Sequence, residues 1–218
     1  MNDVEIYVPI TEQVLEDGSK VTTIHILGEI IEPLQYAQAI HVLQTALSTD
    51  TVIINLNTEG GRLDTTTMIC DAMEHTEAMV LSQVTGPVAS AGTIIALAAD
   101  DLRVAKWGSM MFHNASSGVW PAKGHEVLAS VKFTIPHTEK LLRTAYKHFL
   151  TGKEIDYLIR GGDLYLAKED IEARWQTLLE HRRKTFEQQE KLEESRQIED
   201  AINQLIEQGY SVKSPKTK

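Results

Sequence analysis

The stretch Met79–Ala99, MVLSQVTGPVASAGTIIALAA, decides the fold. Its first part, Met79–Val84, is a short apolar run that suits a buried strand. Its last ten residues, Ser90–Ala99, are small and apolar all round, which calls for a helix buried on every side rather than a surface helix. Gly86 and Pro87 stand between the two, so a core strand passes into a core helix at Ser90.

The same alternation continues outward in both directions. Upstream, Val21–Leu27 (VTTIHIL) is β-branched and period-two, and Thr51–Asn57 (TVIINLN) is a second short run bounded by turn residues. Between them Pro33 stands at the first helical position of a segment with Leu34, Ala37, Ile40, Leu43 and Leu47 at helical spacing. After Gly60 and Gly61 the spacing predicts a helix over Leu63–His75. Downstream, Leu102–Ala105 and Ser109–His113 read as strands joined at Trp107-Gly108. A long helical pattern covers Ala122–Leu150, with a kink or break expected near Thr134-Ile135 because Pro136 removes a backbone donor. A shorter helix, Lys153–Arg160, stops at Gly161-Gly162. Strand, helix, strand, helix, strand points to α/β with helices packed on a largely parallel sheet. The opening, Met1–Lys20, is polar apart from Ile6–Ile10. Beyond Asp170 the composition turns to Glu, Gln, Lys and Arg, and Ile171–Gln208 holds neither Pro nor Gly. That segment predicts one or two long solvated helices, with an apolar stripe at Ile198, Ile202, Leu205 and Ile206 and a frayed end at Lys213–Lys218. The expected organisation is a domain over residues 1–170 and a charged helical extension over 171–218.

Composition narrows the chemistry. The chain has 218 residues, 42% hydrophobic and 24% charged, enough for a sizeable core, and its net charge of −10 repels polyanions. Nucleic acid is excluded as a partner on that ground. Cys70 is the one cysteine, so no internal disulfide forms, and no stretch reads as a membrane span or signal peptide. The expectation is a soluble, cytoplasmic protein with no membrane association. His41 and His75 have no second ligand at helical spacing, so no metal is expected, and no cofactor either. The Gly60-Gly61 doublet lacks the spacing of a phosphate or dinucleotide loop.

Four features carry chemistry. Ser90, in GPVASAG, can expose its hydroxyl while the following helix offers free N–H groups to an oxyanion, or it can simply cap that helix. His113 ends the strand SMMFH, where it can reach a loop-borne nucleophile as general base, although seven other histidines compete. Asp163, behind two glycines in GGDLYLA, can orient an imidazole or serve as a turn aspartate. In NTEGGRLD, Gly60 and Gly61 let a backbone N–H point into a cleft, or they form a plain strand–helix turn.

Taken together, the Gly-Gly turn, a GxxxSxG turn at Ser90, His113 twenty-three residues later and Asp163 fifty residues beyond resemble the proteolytic subunit of the Clp protease family. The matching segments are VIINLNTEGG, GPVASAGTIIALAA, SMMFHNASSG and TGKEIDYLIRGGDLYLAKE, from about Val21 to Asp170. The resemblance implies the fold shared by that family and the crotonases, repeated strand–helix units with a handle helix, here followed by a helical C-terminal extension. It implies Ser90 as nucleophile, His113 as base, Asp163 as orienting acid, and the N–H groups of Gly61 and Ala91 as the oxyanion hole. It implies polypeptide substrates and a homo-oligomer of heptameric rings, stacked through the handle in the place of Ala122–Leu150. An ATP-driven Clp-type unfoldase would be the partner. Ala91 stands where methionine is usual and Thr58-Glu59 where Ser-Pro is usual. The interval from Thr151 to Asp163 is about two residues short, which leaves Asp156 and Asp170 as alternatives for the acid. The family's closing Tyr-Gly-Leu-Ile/Val-Asp stretch is missing, so its final strand is expected to be lost or displaced by the tail. Such a divergent copy resembles those carried by bacteriophages.

The leading expectation is therefore a serine endopeptidase. The alternative is a catalytically silent or adaptor subunit whose C-terminal helix binds another protein. A crotonase-type acyl-thioester enzyme would need a basic CoA-phosphate patch that the sequence does not offer. A serine–lysine dyad would need Lys106 or Lys153 as base.

Overall fold

A computed structural model of the chain describes residues 7–116 and 123–207. Ile6, Ala122, Lys213–Lys218 and the side chains of Leu205 and Ile206, on all of which the sequence carries expectations, lie outside the described residues. The chain divides into two compact units, Met1–Trp175 and Gln176–Lys218.

The first unit is an α/β domain built on one seven-stranded sheet. Its strands are β1 (Ile10–Val14), β2 (Lys20–Leu27), β3 (Thr51–Thr58), β4 (Met79–Ala89), β5 (Asp101–Val104), β6 (Ser109–Phe112) and β7 (Leu164–Ala167). The spatial order is β1-β2-β3-β4-β6-β7, with β5 also paired to β4. The strands from β2 to β6 pair in parallel, and the antiparallel strands β1 and β7 close the two edges. Alternation along β2 and β3 sends Ile24, Ile26, Val52, Ile54 and Leu56 into the core on one face. Helices α1 (Ala37–Thr45), α2 (Leu63–His75) and α3 (Ala91–Ala98) connect the strands, and α2 packs against both α1 and α3. As its composition demands, α3 is buried from Ala91 through Leu97.

β4 is the organising strand. At eleven residues it is long enough to pair β5 through Leu81–Val84 and then β6 through Pro87–Ala89, on the same edge. The sequence suggests a stop at Val84, but the strand continues through Gly86 and Pro87. A Cβ at Gly86 would sit 2.8 Å from the Asn57 side chain, so glycine lets β4 stay against β3 there.

Four further features differ from the sequence reading. The long helix α4 (Gly124–Ala145) runs through Pro136 without the expected break. Pro136 and Lys132, whose carbonyl loses its intrahelical donor to the ring, are both exposed, so water can take that role. α4 also ends at Ala145 rather than Leu150: the chain turns with His148 at φ 69°, which tucks Phe149 and Leu150 into the core. The segment from Pro33 opens as a tight 3₁₀ turn, Pro33–Tyr36, before α1 begins. The edge strands β1 and β7 escape the sequence reading because ITEQV is almost wholly exposed and LYLA is only four residues long.

α5 (Gly152–Ile159) begins with a reciprocal cap between Thr151 and Glu154. α6 (Lys168–Glu207) follows β7 directly. Its first two turns belong to the first unit and seal it with Ile171 and Trp175, 0% and 2% exposed. The described part of the second unit is helical and polar, with Phe186, Leu192 and Ile198 exposed on it.

Candidate active site

The carboxyl ends of β3, β4 and β6 converge at one crevice, the usual place for a site on a parallel sheet. At the end of β4 the backbone turns sharply into α3, and Ser90 sits at that elbow with φ 54° and ψ −125°. Few non-glycine residues adopt this region, and it costs roughly 1–3 kcal/mol unless its surroundings hold it. They do hold it. The Ser90 N–H donates to the Met111 carbonyl at 2.8 Å, and the Ser90 carbonyl accepts from the Thr93 N–H at 3.0 Å and the Thr93 hydroxyl at 2.7 Å. The Ser90 side chain makes no capping bond, so the cap reading fails. Among the described residues its hydroxyl has no hydrogen-bond partner.

The glycine turn lies against this elbow. The Gly60 N–H donates to the Thr58 hydroxyl at 3.0 Å, and a Cβ at Gly60 would stand 2.7 Å from both the Ala89 carbonyl and the Ser90 Cβ. One residue on, the Ile30 N–H donates to the Gly60 carbonyl at 2.7 Å and the Arg62 N–H to the Ile30 carbonyl at 2.9 Å. Gly61, at φ 148°, is pressed against Ile30 so closely that a Cβ would collide with the Ile30 carbonyl. Its own N–H turns away from Ile30. The Ala91 N–H opens α3, where no intrahelical acceptor exists for it. Among the described residues neither amide has a backbone acceptor, and both residues border the cleft.

His113 follows the last residue of β6. Ala89 pairs with Met111 in the parallel β4–β6 ladder, so His113 stands two residues further along the neighbouring strand. Strands lie about 4.8 Å apart with an advance of about 3.3 Å per residue, which puts the imidazole within side-chain reach of the elbow. His113 is half-buried and lines the same cleft as Ser90. The Asn114 amide donates to the Ile159 carbonyl at 3.1 Å and ties the segment after His113 to the end of α5.

Asp163 precedes β7. The antiparallel β6–β7 ladder ends with Phe112 opposite Leu164; continued by one step, its register would set His113 opposite Asp163. Directly opposed residues project to one face with Cβ atoms about 5 Å apart. Asp163 is exposed, does not line the cleft, and is not hydrogen-bonded to His113. Of the two alternative acids, Asp156 is engaged by Arg143 at 2.8 Å and Asp170 lies in the first turn of α6. Among the described residues no lysine lines the cleft: Lys106 lies over the Trp107 ring and Lys153 opens α5.

The cleft has a volume of about 580 Å³. Ile94, Leu142 and Tyr146 form its apolar part, and Glu29, Glu59, Arg62 and Asp64 its charged part. Arg62 is held by Asp64 at 2.6 Å and Glu32 at 2.8 Å, and its guanidinium keeps the Asp64 carboxyl below the usual range. Sequence reasoning missed Thr93, Tyr146 and Asn114. The signal for Thr93 is that it is the only hydroxyl between Ala91 and Ala99. Its Oγ1 lies 2.9 Å from the Tyr146 hydroxyl. Cys70 lies outside the cleft, and burial pushes its thiol up to about 12, so it is a poor nucleophile. Among the described residues no group of acidic, histidine or cysteine side chains could hold a metal ion, and no helix is long and apolar enough to cross a membrane.

No curated protein matches the chain. The family model described as Clp protease matches residues 12–160, a stretch that holds Gly61, Ser90, Ala91 and His113 and stops three residues before Asp163. With well over half of its length matched, the chain belongs to the Clp protease family.

Proposed function

We propose that the protein is a serine endopeptidase that cleaves polypeptides through an acyl-enzyme. The observation that carries this reading is the elbow: a strained serine shares a cleft with an imidazole and two amides, and among the described residues its hydroxyl has no partner and the amides have no backbone acceptor. Ser90 Oγ attacks the scissile carbonyl while His113 takes its proton, and the N–H groups of Gly61 and Ala91 hold the oxyanion. Each such donor is worth roughly 3 kcal/mol of barrier. The tetrahedral intermediate collapses as His113 returns the proton to the leaving amine. Water then attacks the acyl-enzyme with His113 again as base, which frees the acid product and Ser90. Asp163 accepts from the far imidazole nitrogen and steadies the imidazolium. Family membership supports a ring-shaped homo-oligomer that encloses these sites and works with an ATP-driven unfoldase.

A fluorophosphonate probe tests the reading. Wild type is labelled and Ser90→Ala is not. Unlabelled wild type in an assembled particle would leave a non-catalytic member of the family.

A further inference from the structure

The Ser90 carbonyl and the Ala91 N–H belong to one peptide unit. That unit is planar and trans, so the two groups point in opposite directions and whatever fixes one fixes the other. Among the described residues nothing binds the Ala91 N–H, so its aim is set from the carbonyl side.

That side carries more than an ordinary first turn. The Thr93 N–H contact at 3.0 Å is a tight i→i+3 bond of the first turn, and the Thr93 hydroxyl adds a further donor at 2.7 Å. Having donated its only proton to Ser90, Thr93 Oγ1 is left to accept from the Tyr146 hydroxyl 2.9 Å away. Burial pushes the Tyr146 phenol up to about 12, which keeps it protonated and a donor. Thr93 and Tyr146 are both 0% exposed, so neither bond competes with water. Tyr146 arrives from the end of α4 and its ring meets Phe112 edge-on at 5.1 Å, one residue before His113. One phenol thus touches the strand that presents the imidazole and, through Thr93, the peptide that follows the nucleophile.

We infer that Thr93 and Tyr146 are positioning residues that lock the Ser90–Ala91 peptide with the Ala91 N–H aimed into the cleft. The inference rests on the proposed role of Ala91 as an oxyanion donor. The lock is needed because Ser90 is strained: with φ kept at 54°, rotation of the 90–91 peptide would carry ψ from −125° towards the left-handed helical region and turn the amide away. Thr93 reaches substrate through the Ala91 amide alone.

Turnover of a short fluorogenic peptide and the rate of fluorophosphonate labelling, in the full-length assembled protein, test this with Thr93→Val, Thr93→Ser, Tyr146→Phe and Ser90→Ala. Thr93→Val keeps the side-chain volume and removes the hydroxyl. It should lower kcat by about 10- to 100-fold, a fraction of the 10²–10³ lost with a whole oxyanion donor, and leave KM within about twofold. Thr93→Ser restores the rate, and Tyr146→Phe lowers kcat about threefold to tenfold. A crystal structure of Thr93→Val shows the 90–91 peptide rotated. The inference is overturned if Thr93→Val turns over within twofold of wild type, if Thr93→Ser is as slow as Thr93→Val, or if the peptide superposes on wild type. Should Thr93→Val fail to assemble, the same kcat-against-KM split and crystal structure are read on Tyr146→Phe. Labelling that persists in Ser90→Ala, or is absent from wild type, sinks the peptidase reading instead, and the peptide orientation in the variant crystal still decides the lock.

Discussion

The two arms of the cleft are built differently. On the nucleophile arm, Ser90 is held by its N–H on β6, by its carbonyl on Thr93, and by a helix buried on every side behind it. On the acid arm, His113 and Asp163 stand just past the end of a four-pair ladder at the sheet edge, half-buried and exposed respectively, with no bond between their side chains. The arm that stores backbone strain is over-determined. The arm that would pass a proton back and forth under the proposed mechanism has only the register of that ladder to align it, with α5 and the first turns of α6 as its support. Hydrogen bonds to a catalytic base often tighten only when substrate is present, and an edge ladder leaves room for that.

The largest effect that sharpens this contrast is on the acid arm itself. Asp163→Asn should lower kcat by about 10³- to 10⁴-fold, because the amide favours the wrong imidazole tautomer, while KM stays within a few-fold. Asp156→Asn removes only an exposed ion pair with Arg143 and should leave kcat within about threefold. Steady-state kinetics on a short peptide separates the two. Equal losses would show that register does not select the acid, and the contrast between the arms would break.

The same contrast accounts for what the sequence reveals. The bounds of α2, Leu63–His75, are readable because a helix between a glycine turn and the next strand carries its apolar period in full. Ser90 is readable as a candidate because GPVASAG separates two unambiguously apolar segments. Asp163 is harder: its place opposite His113 follows from β7, and LYLA is too short to announce a strand by periodicity. The passage of α4 through Pro136 is invisible for a related reason, since the break depends on whether the orphaned carbonyl meets solvent, which is a property of packing. Thr93 reads as tolerated polarity in a core helix until Tyr146 is brought beside it from fifty-three residues away.

Next in size is the support of the acid arm. Trp175 fills the space under the first turns of α6 and is 2% exposed. Trp175→Ala should cost about 3–5 kcal/mol in urea unfolding, as lost transfer energy and a residual cavity add together. Phe186→Ala, at an exposed position on α6, should stay within about 0.5 kcal/mol. If the Trp175 variant lost stability without slowing turnover, α6 would be a stabilising strap with no part in holding Asp163.

The smallest effect concerns the clamp around β7. Glu154 on α5 takes two bonds from Arg174 on α6, at 2.7 and 2.9 Å, so the pair brackets the loop that carries Asp163. The Arg174 guanidinium, with the Thr151 cap bonds, holds the Glu154 carboxyl down at about 2. A depressed carboxyl stabilises the fold above its unfolded value near 4.5 and loses that contribution as pH falls towards about 2. Solvent screening limits the contribution at neutral pH to about 1–2 kcal/mol. Glu154→Gln retains the cap, since an amide can still accept at that position, and removes the charge pair. The difference in urea midpoint between wild type and Glu154→Gln should therefore be full at pH 7, shrink below pH 4.5 and vanish near pH 2. A difference that did not change with pH would show that the charge pair with Arg174 is not its source, and the acid arm would then rest on packing alone.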